Sequence, residues 1–316
     1  MSGIAMVFSG QGPQYVGMGK NLYDNFQLVR DFFDKAETIT NMELKHLCFE
    51  GPLEELTQNV NLQPAISVVN MACFLVLKEH GINPTAVAGH SLGEITALAA
   101  CGCLTFDEAL AFVKLRGQIM DREAKANPGI MRLILGPKIA EVQEMCRQVD
   151  GVVQPANLNT PTHTVITGEE KAVTEVANRM KALKARVLPL KVSGPWHSPF
   201  MQKAEDELNQ TVAKMDFKTP TCWMVPNVSG TPTKDPQVIK SELMRQIVQP
   251  TNWVASTQNM WKMGIHTFVQ AGPKNALVGM ISQTIEQTVS EDERKDLITC
   301  NVEDMETLEK TLATLK

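Results

Sequence analysis

Gly89-His90-Ser91-Leu92-Gly93 has the residue types and spacing of a nucleophile elbow. Glycines on both flanks let a chain turn sharply enough to lift a serine hydroxyl above the sheet that carries it. The chemistry this offers is acyl transfer through an acyl-serine, with backbone N–H groups at the start of the following helix, including that of Leu92, facing a developing oxyanion. A serine needs a base near neutral pH, and six histidines compete for that role. His197, in Ser193-Gly194-Pro195-Trp196-His197-Ser198-Pro199, stands in a Gly-Pro loop immediately before a helix and is the first choice. His266, just before a late strand, is the alternative, because α/β-hydrolases place their histidine late in the chain. His46 and His80 lie on helical patterns as surface or internally satisfied residues. His90 adjoins the serine and points away from it, as a packing residue.

The elements that must position these groups alternate between strand and helix. A strand at Ile4–Phe8 runs into Ser9-Gly10-Gln11-Gly12-Pro13, a turn at the carboxyl end of a strand, where open α/β sheets bind ligands. Helical periodicity follows at 27–40 and 64–80. Ala86–Ala88 is a short strand leading into the elbow, and Leu92–Ala100 is a small-residue helix that can pack closely on the sheet. Thr105 and Glu108 have capping-box spacing at the head of the next helix. Between 126 and 192 the units shorten and read βαββαβ: strand 131–135, helix 139–149, strands 152–156 and 164–167, helix 171–183, strand 186–192. That order is a ferredoxin-like module. Helix 199–215, strand 223–225, helices near 237–247 and 252–263, strand 267–270 and a helix from Pro273 then resume the alternation. The expected architecture is α/β: a large α/β-hydrolase-like domain from 1–125 and 193–316, interrupted by a small ferredoxin-like domain at 126–192.

Composition excludes several other classes. The 316 residues are 43% apolar and 21% charged, with 30 Lys+Arg against 35 Asp+Glu and a net charge of −5. Such a chain can bury a large core, and its acidic balance argues against nucleic-acid binding through phosphates. Seven unpaired cysteines, scattered through apolar segments, read as reduced cytoplasmic thiols; Cys101 and Cys103 have no second ligand pair at zinc spacing, so no metal is expected. The first eight residues lack the basic flank of a signal peptide, and the run Ser67–Leu77 is too short to span a bilayer, so no membrane association is expected.

Gly10-Gln11-Gly12, Gly89-His90-Ser91-Leu92-Gly93-Glu94, Leu115-Arg116-Gly117-Gln118, the pair Asn157 and Asn159, His197-Ser198-Pro199 and Gln249-Pro250 occur in one order along essentially the whole chain. This set resembles malonyl-CoA:acyl carrier protein transacylases and the acyltransferase domains of polyketide synthases. The resemblance implies Ser91 as nucleophile, His197 as general base and acid oriented by a backbone carbonyl near Gln249, and an oxyanion hole from the N–H groups of Gln11 and Leu92. It makes Arg116 the partner of the free malonyl carboxylate, a role in which a planar guanidinium gives two parallel charged hydrogen bonds and a lysine only a point charge. Trp196, Asn159 and Gln63 are expected around the acyl group, and an aromatic at Trp196 goes with malonyl over methylmalonyl in this family. No bound cofactor is implied; CoA thioester is a substrate, and the partner acyl carrier protein brings its own phosphopantetheine, in fatty-acid or polyketide synthesis. Lys171, Arg179, Lys181, Lys184, Arg186 and Lys191 form a candidate docking patch for an acidic carrier, against the plainer reading of a solvated face. A discrete, trans-acting monomer is expected. The competing readings are a serine esterase or thioesterase of the α/β-hydrolase type that uses His266, and a silent carrier-binding module.

Overall fold

The computed structural model describes residues 3–315; Met1, Ser2 and Lys316, at the ends of the expected large domain, lie outside the described residues. The strands in chain order are β1 (Ile4–Phe8), β2 (Ala86–Gly89), β3 (Ile130–Leu135), β4 (Val153–Thr160), β5 (His163–Gly168), β6 (Arg186–Pro189), β7 (Trp223–Val225), β8 (Thr267–Ala271) and β9 (Ile298–Val302). They form two sheets. One has the order β7-β2-β1-β8-β9 with every neighbouring pair parallel. The other, β4-β5-β3-β6, is antiparallel throughout. The α/β alternation and the βαββαβ stretch are both present, and the second sheet is inserted in sequence between β2 and β7 of the first.

The parallel sheet is covered on both faces, which its sequence already dictates. Ala5, Met6, Val7 and Phe8 are all buried; with period two, Met6 and Phe8 enter the main core, while Ala5 and Val7 enter a second core with Val225, Trp253 and Phe268. A third core, including Ile134, Val142, Ile166, Val173 and Met180, belongs to the antiparallel sheet and its two helices. The two sheets are stitched together at β4, whose Leu158 N–H donates to the Thr251 carbonyl while Thr251 N–H donates to the Ala156 carbonyl.

Several boundaries differ from expectation. The helix expected from 64 starts at Asn59 and runs to Glu79 through Pro64. At 21 residues it is long and apolar enough to cross a bilayer, which corrects the shorter run expected from the sequence; here most of it is buried in the main core. Strand β4 continues to Thr160 through irregular register between Pro155 and Asn157 and between Leu158 and Thr160, and that irregularity hid its length. Strand β6 stops at Pro189, which has no N–H to give the ladder. Strand β9 and the helix Met305–Leu315 were not expected; β9 pairs on one side only and its first two residues are exposed, so it lacks the apolar run that marked its neighbours.

Close approach at the elbow explains its glycines. A Cβ on Gly89 would sit 2.0 Å from the Gly93 carbonyl carbon, and one on Gly93 would sit 2.1 Å from the Phe8 carbonyl oxygen. The helix Gly93–Ala100 thereby rests directly on the ends of β1 and β2. Gly93→Ala is expected to lower the free energy of urea unfolding by about 2 kcal/mol, since backbone must move to admit the methyl group; an unchanged midpoint and slope would contradict this packing.

Candidate active site

Ser91 sits at the end of β2 with φ of 50°, a left-handed backbone that a serine adopts only when its surroundings impose it. Asn227 holds the turn: its Oδ1 accepts from Ser91 N–H at 2.6 Å, and its Nδ2 donates to the Gly89 carbonyl at 2.6 Å. Ser91 Oγ lies 2.8 Å from His197 Nε2. His197 also has a positive φ, 56°, and its Nδ1 meets two carbonyl oxygens, those of Gln246 and Gln249, each at 2.9 Å. Two acceptors at Nδ1 place the hydrogen there, so Nε2 carries the lone pair that accepts from the serine hydroxyl. The His197 loop is tied back to the second sheet by Gln154 on β4, whose Nε2 donates to the His197 carbonyl at 2.8 Å and to that of Val248 at 3.0 Å.

Arg116, on the helix Phe106–Ala126, is 2% exposed. Its Nη1 donates to Gln63 Oε1 at 2.8 Å, and its Nη2 to Gln246 Oε1 at 2.9 Å and Ser91 Oγ at 3.3 Å. No carboxylate among the described residues forms an ion pair with it, and its Nε has no partner. A buried guanidinium surrounded by neutral acceptors keeps a positive charge that no neighbouring side chain neutralises.

These groups open into a cleft of about 640 Å3, with Gln11, Gln63, Ser91, Leu92, Arg116, Asn157, Lys191, Trp196 and His197 on its walls. Neither the Gln11 nor the Leu92 N–H has an acceptor among the described residues. Trp196 is buried and its ring packs against Gly194, where a Cβ would fall 2.7 Å from the ring. Asn159 is placed differently from expectation. It is absent from this wall, and its amide instead joins two histidines, with Oδ1 2.9 Å from His90 Nε2 and Nδ2 3.2 Å from His163 Nε2; Asn157, two residues earlier on β4, faces the cleft. Of the expected basic patch, Lys191 reaches the cleft, while Arg179 is paired with Glu175.

The chain matches the family described as acyl transferase domain over residues 5–315. It belongs to that family. This acyl transferase is 36% identical over 320 residues to the malonyl CoA-acyl carrier protein transacylase of Bacillus subtilis strain 168, with 100% of this chain and 98% of that protein covered. Among solved structures it is similar to the malonyl CoA-acyl carrier protein transacylase of Clostridium perfringens (TM-score 0.92, 31% identity, 99% of this chain and 97% of that one). It is equally similar to a malonyl-transacylase, PlMCAT, solved with the type II polyketide acyl-carrier protein AntF (TM-score 0.92, 32% identity, 99% and 100%).

The geometry also separates the two candidate bases of this acyl transferase. His266 precedes β8, which runs parallel to β1 and β2, so it lies at the opposite end of the sheet from Ser91, roughly 16 Å of strand away. It stacks on Trp261 with ring centroids 4.1 Å apart. A hydrolase triad through His266 is therefore excluded by the sheet topology.

Asn227, Gln246 and Gln154 at the site were not expected from the sequence, and Glu94, a member of the elbow motif, had no expected role. Glu94 is fully buried in the first turn of the elbow helix, and its Oε2 accepts from Gln246 Nε2 at 2.7 Å and from Asn227 N–H at 3.3 Å. The available signal was a lone carboxylate in an otherwise apolar helix, Gly93–Ala100, where burial without a purpose is costly. Burial pushes its carboxyl up to about 7, against the opposing pull of the Gln246 and Asn227 hydrogen bonds.

Burial, with the Arg116 charge second, lowers the His197 pKa from 6.5 to about 4. Burial likewise lowers the Arg116 pKa to about 10, which leaves it charged at neutral pH. A depressed histidine pKa keeps the imidazole neutral, hence able to accept a proton, at every pH above that value. Labelling of Ser91 by a fluorophosphonate, followed by intact mass, is therefore expected to hold its rate from pH 7 down to 5 and to fall only as pH approaches about 4. An inflection near the ordinary histidine value would contradict the burial of this base.

Proposed function

We propose that this chain transfers a malonyl group from CoA to the phosphopantetheine thiol of an acyl carrier protein, with Ser91 as nucleophile and His197 as its base and acid. The observation that carries the reading is the buried Arg116 guanidinium, without a carboxylate partner, donating to the same Oγ that His197 engages. An acyl group bound to Ser91 that ends in a free carboxylate would place its charge on that guanidinium. The names of the relatives, malonyl CoA-acyl carrier protein transacylases, agree with it.

In this mechanism His197 Nε2 takes the Ser91 proton as Oγ attacks the thioester carbonyl. The tetrahedral oxyanion is received by the Gln11 and Leu92 N–H groups. Collapse breaks the C–S bond, and the proton on His197 passes to the departing thiolate of CoA. The carrier thiol then gives its proton to His197, attacks the acyl-serine and takes the malonyl group, and Ser91 recovers its proton. The carbonyls of Gln246 and Gln249 hold the imidazole throughout, in place of a carboxylate. CoA and phosphopantetheine enter as substrates, and the chain's own side chains and the two thiols account for every proton moved. Trp196 and Gln63 bound the space next to the acyl group; removing one methyl group's worth of room there gives roughly 1 to 3 kcal/mol of preference for malonyl over a methyl-branched analogue.

The same reading takes residues 1–125 and 193–316 as one α/β-hydrolase-like domain and 126–192 as an inserted ferredoxin-like domain. The β4-β5-β3-β6 order and the separate apolar core of the small unit support it. Lys191, on the cleft wall, is the member of the basic patch best placed to meet a negatively charged group on CoA or on a carrier.

Intact-mass measurement after exposure to acyl-CoAs tests the proposal. The wild-type protein is expected to gain one malonyl group on Ser91 and to release it to holo carrier protein; a protein that gains no adduct would overturn it. Arg116→Ala is expected to slow malonylation by at least about a hundredfold, as removal of a paired, buried charged contact does, while acetylation is retained or rises. Equal losses for both acyl groups would assign Arg116 a structural role.

A further inference from the structure

Arg116 owes its position to a residue that does not reach the cleft. Gln246 is 1% exposed and is absent from the cleft wall; it packs behind the guanidinium, beside Phe112 and Leu243. Both of its N–H bonds are committed, one to Glu94 Oε2 at 2.7 Å and one to the Ser91 carbonyl at 2.8 Å. Its Oε1 is thereby turned to Arg116 Nη2 at 2.9 Å. The opposite amide orientation would set an oxygen against a carboxyl and a carbonyl, and an NH2 against a guanidinium, so the three neighbours together fix which way the amide faces.

We propose that Gln246 is a positioning residue for selection of a carboxylated acyl group: its amide, aimed by Glu94 and the Ser91 carbonyl, holds Arg116 level with Ser91 Oγ without neutralising it. The inference rests on the malonyl-transfer reading above. A neutral acceptor suits the task for a chemical reason. A carboxylate in its place would pair with the guanidinium and compete with the substrate, whereas an amide oxygen fixes one N–H and leaves the positive charge unspent. Gln63 does the same from the other side through Nη1, so the guanidinium plane is set by two amides, one on the helix Asn59–Glu79 and one in the turn after the helix Pro236–Leu243. Because Gln246 holds His197 through its main-chain carbonyl, substitution of the side chain leaves that contact in place and removes those to Arg116, Glu94 and the Ser91 carbonyl.

The test compares the rates at which Ser91 is acylated by malonyl-CoA and by acetyl-CoA, measured by quenched flow and intact mass on the full-length protein. Gln246→Met keeps the length and the main-chain carbonyl but removes the acceptor for Arg116 and the donors to Glu94 and the Ser91 carbonyl, the last a loss that both acyl reactions share. Its malonyl-to-acetyl rate ratio is expected to fall about tenfold or more, the scale of one lost hydrogen bond to a charged group. The acid limb of the acetyl reaction, which reports His197, stays where it is in the wild type. General structural damage would instead move that limb and slow both acyl groups together. Gln246→Asn serves where Gln246→Met does not fold; its neutral amide, one methylene shorter, draws the acceptor away from Arg116, and the same fall in ratio is expected. A ratio that changes less than this in the folded variant, or parallel losses for both acyl groups, overturns the proposal. A wild-type protein with no preference for malonyl-CoA would overturn the functional reading itself, a result distinct from either outcome in the variants.

Discussion

The constraint on which the rest of the site depends is steric: the elbow helix meets the ends of β1 and β2 with no room for a side chain at Gly89 or Gly93. That contact forces Ser91 into a left-handed backbone, which costs free energy wherever it occurs in a residue with a Cβ. The cost is met locally, by the Asn227 side chain bridging Ser91 N–H and the Gly89 carbonyl and by the Gln246 amide on the Ser91 carbonyl. The serine is thus presented by a turn whose own peptide groups are bonded to amide side chains, which leaves the Leu92 N–H toward the cleft. His197, with its own positive φ, is held in the same manner, by carbonyls and by Gln154.

Electrostatics in the site follow one pattern. Every direct partner of Arg116 and His197 is neutral: amides, carbonyls and the Ser91 hydroxyl. The nearby carboxyl, Glu94, is kept one amide away. Burial makes His197 a weak base in the resting protein, so it neither stores a proton nor carries a charge that would repel Arg116. The cation is then the dominant fixed charge at the base of the cleft, and its field in a dry site is stronger than in water.

The sequence made this site legible where residue type and local spacing suffice. The elbow, with glycines two residues either side of Ser91 after an apolar strand, and His197 in a Gly-Pro loop before a helix, are local patterns. Arg116 was identifiable only through motif order, since an isolated arginine on a helix is ordinarily a solvated one. The roles of Asn227, Gln246 and Glu94 were hidden because their partners lie 130 to 155 residues away in the chain, as with Arg116 to Gln246 and Ser91 to Gln246. Asn159 shows the converse: motif membership placed it at the acyl group, but its amide is taken up by His90 and His163 and it does not line the cleft. In the fold, the buried parallel strands were readable as apolar runs, while edge strand β9 and the irregular end of β4 lacked such a run.

Gln154 belongs to the antiparallel sheet, yet its amide holds the peptide of His197 and that of Val248, which lie on the other unit. The base is therefore clamped across a seam, and its alignment is owned by neither core alone. Partial loosening of the antiparallel sheet would therefore release His197 from one of its ties before the core with Val225, Trp253 and Phe268, which holds no residue of that sheet, was disturbed.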